Sequence, residues 1–434
     1  MLEFKGALRT RNCDGSTRRD FLKIGALGMG GFALPDLLRA RAAAAEAGRT
    51  IHNTSVVWLF LGGGATHVET FDPKMTAPSE YRSIVGETST TIPGVTLGGL
   101  FPKLGQVAQH MAFVRSFAHG NSGHGGGTHW VMTGYDFPPA DQGVAPVKPS
   151  LGSVLSRYRG ANHPVSGIPT YVRLGGTYGD GPSWLGSGNG PFDSGGNAQQ
   201  NLNLQVGLDR VSDRRGLLRD LDRIERKVDR SGLMSGLDDF ETQAFDLVLG
   251  RSKEAFDLNR EDPRLREKYG PRLGEQLLLA RRLCEAGTGF VTLHYGGWDM
   301  HGQIEAALKG RCPEMDQAVA AFIDDVAQRG LSQQILLVIT GEFGRTPRIN
   351  GSAGRDHWAP LSTLAFAHGR LRTGLVVGES NSKVEVPKTA PISPQDMMAT
   401  VFHHLGIDPA LHYRDPAGRP TPMVNNGKPI TELV

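Results

Sequence analysis

Gly289-Phe-Val-Thr-Leu-His-Tyr-Gly-Gly-Trp-Asp-Met-His-Gly302 begins as an apolar run, Phe290 to Leu293, bounded by Gly287 and Gly289, and breaks at Gly296-Gly297. A short apolar run between glycines predicts a buried strand. Past the break the chain presents Asp299 and His301. Residues two apart on an extended chain point the same way. A carboxylate and an imidazole leaving one strand end together are a good pair of metal ligands. In open α/β sheets, ligands bind outside the carboxyl ends of the strands. The plainer alternative is an Asp capping a turn beside a surface His.

The same grammar recurs along the chain. Ser55-Val-Val-Trp-Leu-Phe-Leu61 is a continuous apolar run that ends in Gly62-Gly63-Gly64. It predicts a central buried strand, and the turn after it carries His67, Glu69 and Asp72, all candidate ligands. Residues 111–115 predict the next strand. After it comes His119-Gly-Asn-Ser-Gly-His124-Gly-Gly-Gly-Thr-His129, with histidines every five residues among glycines that allow close backbone approach. A helix starting near Thr128 would favour an anion at its first N–H groups. Ser122 and Thr128 are candidate nucleophiles, and His124 and His129 are catalytic candidates beside them. Residues 334–340 predict a further buried strand, followed by Glu342 and Arg345. Gly354-Arg355-Asp356-His357-Trp358 precedes a strand expected at 361–367.

Helices are expected between these strands, at 100–110, 150–159, 313–329 and 393–405. That alternation predicts one α/β domain, a mostly parallel central sheet with helices on both faces. Residues 175–285 read as an insertion: a long Gly- and Asn-rich loop to 205, with Trp184 and Phe192 either rimming a site or anchoring the loop. Charged helices are expected at 214–230 and 237–249, and a helical stretch at 264–285, interrupted at Gly270-Pro271. The charges of this insertion are read as solvated faces. His403 and His404, at the end of the last helix, are read as surface residues rather than ligands.

Residues 1–47 stand apart from the fold, which is expected to occupy 48–434. Ser16-Thr17-Arg18-Arg19-Asp20-Phe21-Leu22-Lys23, an apolar run to Pro35 and Ala42-Ala43-Ala44-Ala45 form a twin-arginine export signal with a cleavage site. The apolar run is shorter than the roughly 20 residues a membrane span needs, so no stable span is expected after cleavage. The partner this implies is the twin-arginine export machinery, and the destination is periplasmic or extracellular. The first 45 residues carry eight Lys/Arg against four Asp/Glu, so the mature chain moves from +3 to −1. A near-neutral chain argues against nucleic acid as a partner. Glycine makes up 58 of 434 residues, against an average near 7%, which implies many tight turns. Cys284 and Cys312 follow the signal and could form one disulfide in an oxidising compartment. No Cys-x-x-Cys occurs, so a thiolate zinc site is excluded.

The strand ends together offer Asp299, His301, Glu342, His357, His67, Glu69 and Asp72 as metal ligands. Mixed imidazole and carboxylate donors suit a divalent cation, zinc or manganese more than calcium or magnesium. Gly62-Gly63-Gly64-Ala65-Thr66-His67-Val68-Glu69-Thr70-Phe71-Asp72-Pro73-Lys74, Gly296-Gly297-Trp298-Asp299-Met300-His301, Gly341-Glu342-Phe343-Gly344-Arg345-Thr346-Pro347 and Gly354-Arg355-Asp356-His357 fall in order. In that order the chain resembles the alkaline phosphatase, sulfatase and cofactor-independent phosphoglycerate mutase superfamily. Within it the chain is most similar to an exported branch, the domain-of-unknown-function fifteen-oh-one family.

The resemblance implies a two-metal α/β core acting on phosphate or sulfate esters. Asp299 with His301 resembles the superfamily's Asp-plus-His metal pair, at closer spacing. His357 resembles its final metal-binding histidine. Glu342 and Phe343 stand where an Asp-His pair is usual, and Gly62 to Gly64 where the first strand usually has an aspartate. No Cys- or Ser-x-Pro-x-Arg motif occurs, so formylglycine sulfatase chemistry is not expected. The expected function is metal-dependent hydrolysis of a phosphate or sulfate ester, such as one borne by an extracellular polymer. Attack would come from a metal-activated hydroxide or from Ser122 or Thr128, and Arg345 or Arg355 would neutralise the anion. The alternative is a non-catalytic scaffold with a degenerate metal site, binding a carbohydrate or a partner. A metallopeptidase is disfavoured, since no His-Glu-x-x-His helix appears.

Overall fold

The apolar runs become the middle of one sheet. A computed structural model of the protein describes residues 53–164, 166–194 and 251–434. The expected export signal, and the charged helices expected at 214–230 and 237–249, lie outside the described residues. In chain order the elements are β1 (Ser55–Phe60), β2 (Glu87–Ser89), β3 (Thr96–Gly98), α1 (Pro102–Gln106), β4 (Met111–Val114), α2 (His124–Thr133) and α3 (Leu151–Arg159). Next come β5 (Tyr171–Leu174), β6 (Phe192–Asp193), α4 (Pro263–Tyr269), α5 (Leu273–Glu285), β7 (Phe290–His294), α6 (Ile304–Gln328) and β8 (Ile335–Thr340). Then follow β9 (Gly344–Arg345), β10 (His357–Trp358), β11 (Leu364–His368), β12 (Leu375–Val377) and α7 (Pro394–Leu405).

The main sheet has eight strands in the order β12-β4-β11-β8-β1-β7-β5-β6. All of its pairings are parallel except the two that β11 makes, to β8 and β4. Residue alternation divides β1 between two cores. Val57, Leu59 and Leu61 pack on one face with α5 and α6, whereas Val56, Trp58 and Phe60 pack on the other with α3 and α7. Both faces are covered, so a central strand has no polar side to show. Each fully buried Val, Leu or Phe adds about 1.5–3 kcal/mol.

Register brings the carboxyl ends of the central strands level. Phe60 lies opposite both His294 and Thr340, and Thr340 opposite Leu364. Because β11 runs antiparallel, its first residue sits at that same edge. The segments that follow β1, β4, β7 and β8, and the one that precedes β11, therefore all meet there.

Three expectations change. Helix α6 begins nine residues before Pro313, which lies inside it. Ile304, Leu308, Cys312 and Met315 are all buried, and their three-to-four-residue spacing carries the apolar stripe across the proline. That burial outweighs the ~3 kcal/mol a proline costs in a helix interior. His404 is buried rather than superficial, with Nε2 3.0 Å from the Ser55 carbonyl oxygen. Cys284 and Cys312 are buried and unpaired, and burial pushes both thiols up to about 12. Trp184 and Phe192 pack against the two cores and so anchor their loop.

Candidate metal centre

Asp299 and His301 follow β7 as the sequence suggested, and the fold sets His357 between them. His301 Nε2 lies 3.0 Å from Asp299 Oδ1, His357 Nε2 lies 3.1 Å from the same oxygen, and the two Nε2 atoms are 3.1 Å apart. His124, at the start of α2, adds a further nitrogen. Its Nε2 is 3.4 Å from Asp299 Oδ2, and its ligand atom, with those of Asp299 and His357, falls inside a 4.8 Å cluster. Asp299, His301 and His124 are exposed and His357 half-buried, so the cluster opens to solvent at the sheet edge.

The tautomers follow from the partners. His357 Nδ1 faces the Ser122 carbonyl oxygen at 2.9 Å, so it must carry the hydrogen it donates. His301 Nδ1 faces Asp356 Oδ1 at 2.7 Å and donates likewise. With Nδ1 as the donor, a neutral ring turns an Nε2 lone pair toward Asp299. Burial lowers the pKa of His357, which favours its neutral form. The His301 hydrogen bond, aided by Asn350, holds the Asp356 carboxyl below its usual value. Burial works against ionising Asp299, yet the Arg345 guanidinium hydrogen-bonded to it holds its carboxyl well below the ordinary range. His124 behaves oppositely: its hydrogen bond to Glu342 Oε1, 2.7 Å from Nδ1, raises its pKa.

These donors fit a cation. Tetrahedral zinc, with bonds of about 2.0–2.1 Å to nitrogen and oxygen, keeps ligand atoms roughly 3.3 Å apart, close to the 3.0–3.1 Å seen here. A carboxylate donating its charge and two neutral imidazoles is the donor chemistry such ions take. Glu342 adds an orphan: it is 2% exposed, Oε1 accepts the Gly63 N–H at 2.8 Å, and Oε2 is buried with no hydrogen-bond partner. A buried carboxylate oxygen left without a donor is costly, and a cation or proton would answer it.

The other candidates go elsewhere. His67, Glu69 and Asp72 lie on a tight turn, where Phe71 and Asp72 N–H groups both bond to the His67 carbonyl oxygen. Residues two apart in such a turn diverge, unlike those on an extended chain. His67 Nε2 meets the Val384 carbonyl oxygen, Asp72 meets Ser380 and Arg115, and Glu69 is paired with Arg355. Arg345 and Arg355 are both 0% exposed and are not free to receive an anion. Arg345 donates to the carbonyls of Gly63, Gly64 and Arg355 and to Asp299. Arg355 donates to Glu69 Oε1 at 2.6 Å and to three carbonyls.

The hydroxyl of Thr128 is turned into its own helix, bonded to the His124 carbonyl oxygen. His129 is buried, with Nδ1 on the Tyr135 carbonyl oxygen, and burial lowers its pKa. Ser122 stays at the cluster through its carbonyl, while its Oγ accepts the Ala359 N–H at 3.0 Å.

Two participants went unassigned in the sequence. Asp356 precedes His357 directly, and a carboxylate beside a ligand histidine was the available signal. Phe343 packs at a tilt against His357, with ring centroids 4.4 Å apart, and against His124 at 5.1 Å, confining both imidazoles. A supporting carboxylate typically accounts for about 10–100-fold in metal affinity. Asp356→Asn is therefore expected to weaken zinc binding by that factor without unfolding the chain, as competition with a chromogenic chelator would show. Unchanged affinity would mean that Asp356 does not set the His301 tautomer.

The family model "Protein of unknown function (DUF1501)" matches residues 53–434. No curated protein matches the chain. Solved structures similar to it include a sulfatase from a Pseudoalteromonas species, at 14% identity over 86% of this chain and 70% of that one, with a TM-score of 0.40. A phosphonate monoester hydrolase from Silicibacter pomeroyi is 12% identical over 82% and 74%, with a TM-score of 0.37. The C-terminal periplasmic domain of EcEptC from Escherichia coli, in complex with zinc, is 11% identical over 86% and 87%, with a TM-score of 0.37.

Proposed function

The chain belongs to the DUF1501 family, and on that footing we propose that it is an exported, metal-dependent hydrolase of phosphate or sulfate esters. The observation that carries this reading is the convergence of Asp299 Oδ1, His301 Nε2 and His357 Nε2 at 3.0–3.1 Å on an open sheet edge. These three would hold the ion, with Glu342 and His124 beside them. Zinc or manganese suits two imidazoles better than calcium or magnesium. A bound divalent cation supplies Lewis-acid polarisation of an ester oxygen and a lowered pKa for water.

The protein's own groups do the rest. Asp356 and the Ser122 carbonyl orient the two imidazoles. The Glu342 hydrogen bond raises the proton affinity of His124, which beside the cluster would be the group to pass a proton to a leaving oxygen. Ser122 is the hydroxyl residue tied to the cluster and remains the candidate nucleophile; Thr128, turned into α2, is the poorer one. Export rests on the Arg18-Arg19 signal, with the twin-arginine machinery as its partner and the periplasm or exterior as its destination. Among the described residues no helix is long and apolar enough to cross a membrane.

One observation favours a second reading, a non-catalytic scaffold. The Arg345 guanidinium already neutralises Asp299 and lies 3.5 Å from His301 Nε2, a cationic neighbour for any ion. Assaying the zinc- and manganese-loaded protein on aryl phosphates, aryl sulfates and aryl phosphonates separates the two. Turnover that disappears on chelation supports the hydrolase. A metal-loaded chain inert on all three leaves the scaffold.

A further inference from the structure

A second feature lies at the same sheet edge. A cavity of about 260 Å3 is lined by Arg272, Gln276, His294, Tyr295, Arg311 and Glu314. The Gly62-Gly63 turn separates it from the Asp299 cluster by one residue: a side chain on Gly62 would collide with the His294 ring, and one on Gly63 with the Asp299 backbone.

The charges in this cavity do not balance. Glu314 is answered several times over: Arg272 Nη2 donates to it at 2.7 Å, the Tyr295 hydroxyl at 3.0 Å and the Leu273 N–H at 3.2 Å. Arg311 is left over. It is half-buried and makes no ion pair among the described residues. Its guanidinium rests 4.8 Å from the centroid of the Tyr295 ring. A cation–π contact orients a guanidinium without neutralising it. Gly297, at φ +88°, leaves the room the guanidinium occupies, since any side chain there would strike it. Arg272 holds a left-handed backbone at φ +51°, which a non-glycine residue adopts at a cost, and there it reaches Glu314.

We propose that this cavity binds a second sulfate or phosphate group of the substrate, with Arg311 as the residue that holds it. The planar fork of an arginine matches a tetrahedral oxyanion through two parallel hydrogen bonds. The volume is somewhat below the roughly 300 Å3 at which sites for drug-sized ligands begin. It suits one anionic group and part of the unit that bears it. The substrate class is thus a multiply sulfated or phosphorylated molecule, one group at the cluster and another at Arg311. This deepens the hydrolase reading and rests on it for what happens at the cluster. The anion site itself stands on Arg311 and is tested by binding alone.

Isothermal titration of the full mature chain with sucrose octasulfate, fructose 1,6-bisphosphate and plain sucrose tests it. At least one anionic probe should bind and sucrose should not; the better probe tells sulfate from phosphate. Losing charge-assisted hydrogen bonds costs roughly tenfold or more in affinity, so Arg311→Gln should weaken that probe at least tenfold. Arg311→Lys should restore only part of it. Arg272→Gln frees the Glu314 carboxylate to pair with Arg311 and should also weaken binding. It decides the matter if Arg311→Gln does not fold.

Asp299→Asn separates the two ideas. If it loses metal while probe binding still depends on Arg311, the anion site stands whatever the cluster does. If wild type binds neither anionic probe, or binds both as well as Arg311→Gln does, the anion site is wrong even where metal and hydrolysis are intact.

Discussion

Asp299→Ala is expected to empty the metal centre. One oxygen of this carboxylate meets His301 Nε2, His357 Nε2 and the Arg345 guanidinium, and the other faces His124. Among the described residues no other carboxylate meets both Nε2 atoms: Glu342 is buried, its Oε1 already holds His124 and the Gly63 N–H, and only its Oε2 is left over. The loss in zinc affinity should exceed the roughly 10–100-fold typical of removing a supporting residue. Wild type dialysed against zinc should retain at least one ion per chain by elemental analysis, and the variant none.

A thermal melt gives a second readout. An ion that binds only the folded chain, at a hundred times its dissociation constant, stabilises it by about 2.7 kcal/mol. Zinc should raise the wild-type melting temperature and leave that of Asp299→Ala unmoved. Asp299→Asn preserves shape and a hydrogen-bond acceptor for Arg345, so it separates loss of the ligand charge from loss of packing around the guanidinium. A wild-type chain that retains no divalent ion, or an alanine variant that retains as much as wild type, removes the basis of the hydrolase reading.

Arg355→Ala should produce the largest loss of stability and for a different reason. Arg355 and Glu69 are both 0% exposed and joined at 2.6 Å. Removing one member of a buried pair leaves a charge without compensation, typically at about 3–5 kcal/mol. Glu69 would keep only the Thr66 hydroxyl at 2.6 Å and the Ile84 N–H at 3.3 Å. The carbonyls of Thr346, Pro347 and Arg82 would lose their donor. The expected result is a clear fall in the urea midpoint. Replacing both charges, as Arg355→Met with Glu69→Leu, should recover part of it, since an apolar pair leaves no buried charge behind. If Arg355→Ala unfolds at the wild-type midpoint but loses an anionic ligand, Arg355 is an anion residue after all.

Local pattern reveals some of these residues and hides the surroundings of others. Asp299 and His301 are legible as a pair because both follow the end of β7, although the segment that carries them is irregular, with the Met300 N–H turned back to the Trp298 carbonyl oxygen. The same spacing in His67 and Glu69 misled, because a tight turn sends neighbours two apart in different directions. Arg345 and Arg355 looked like anion residues because nothing in their local sequence shows burial. Each is enclosed by carbonyls from segments that fold back over it, among them Gly63 and Gly64 for Arg345 and Arg82 for Arg355. Nothing in the local sequence singles out Arg311, because its lack of an ion-pair partner among the described residues is a property of the space around it.

The sequence by itself determined the sheet. A strand covered on both faces must be apolar at nearly every position, so β1, β7 and β8 announce themselves over a few residues. It also determined which strand ends carry carboxylates and imidazoles. Only the tertiary structure decided which of these meet. His357 reaches Asp299, 58 residues earlier, because β11 alone runs antiparallel and so brings its preceding segment to the carboxyl edge; His124 reaches Glu342 across 218 residues through the level ends of β4 and β8. Periodicity is a local signal that a short window contains, whereas strand order and direction are settled by packing between segments that share no window.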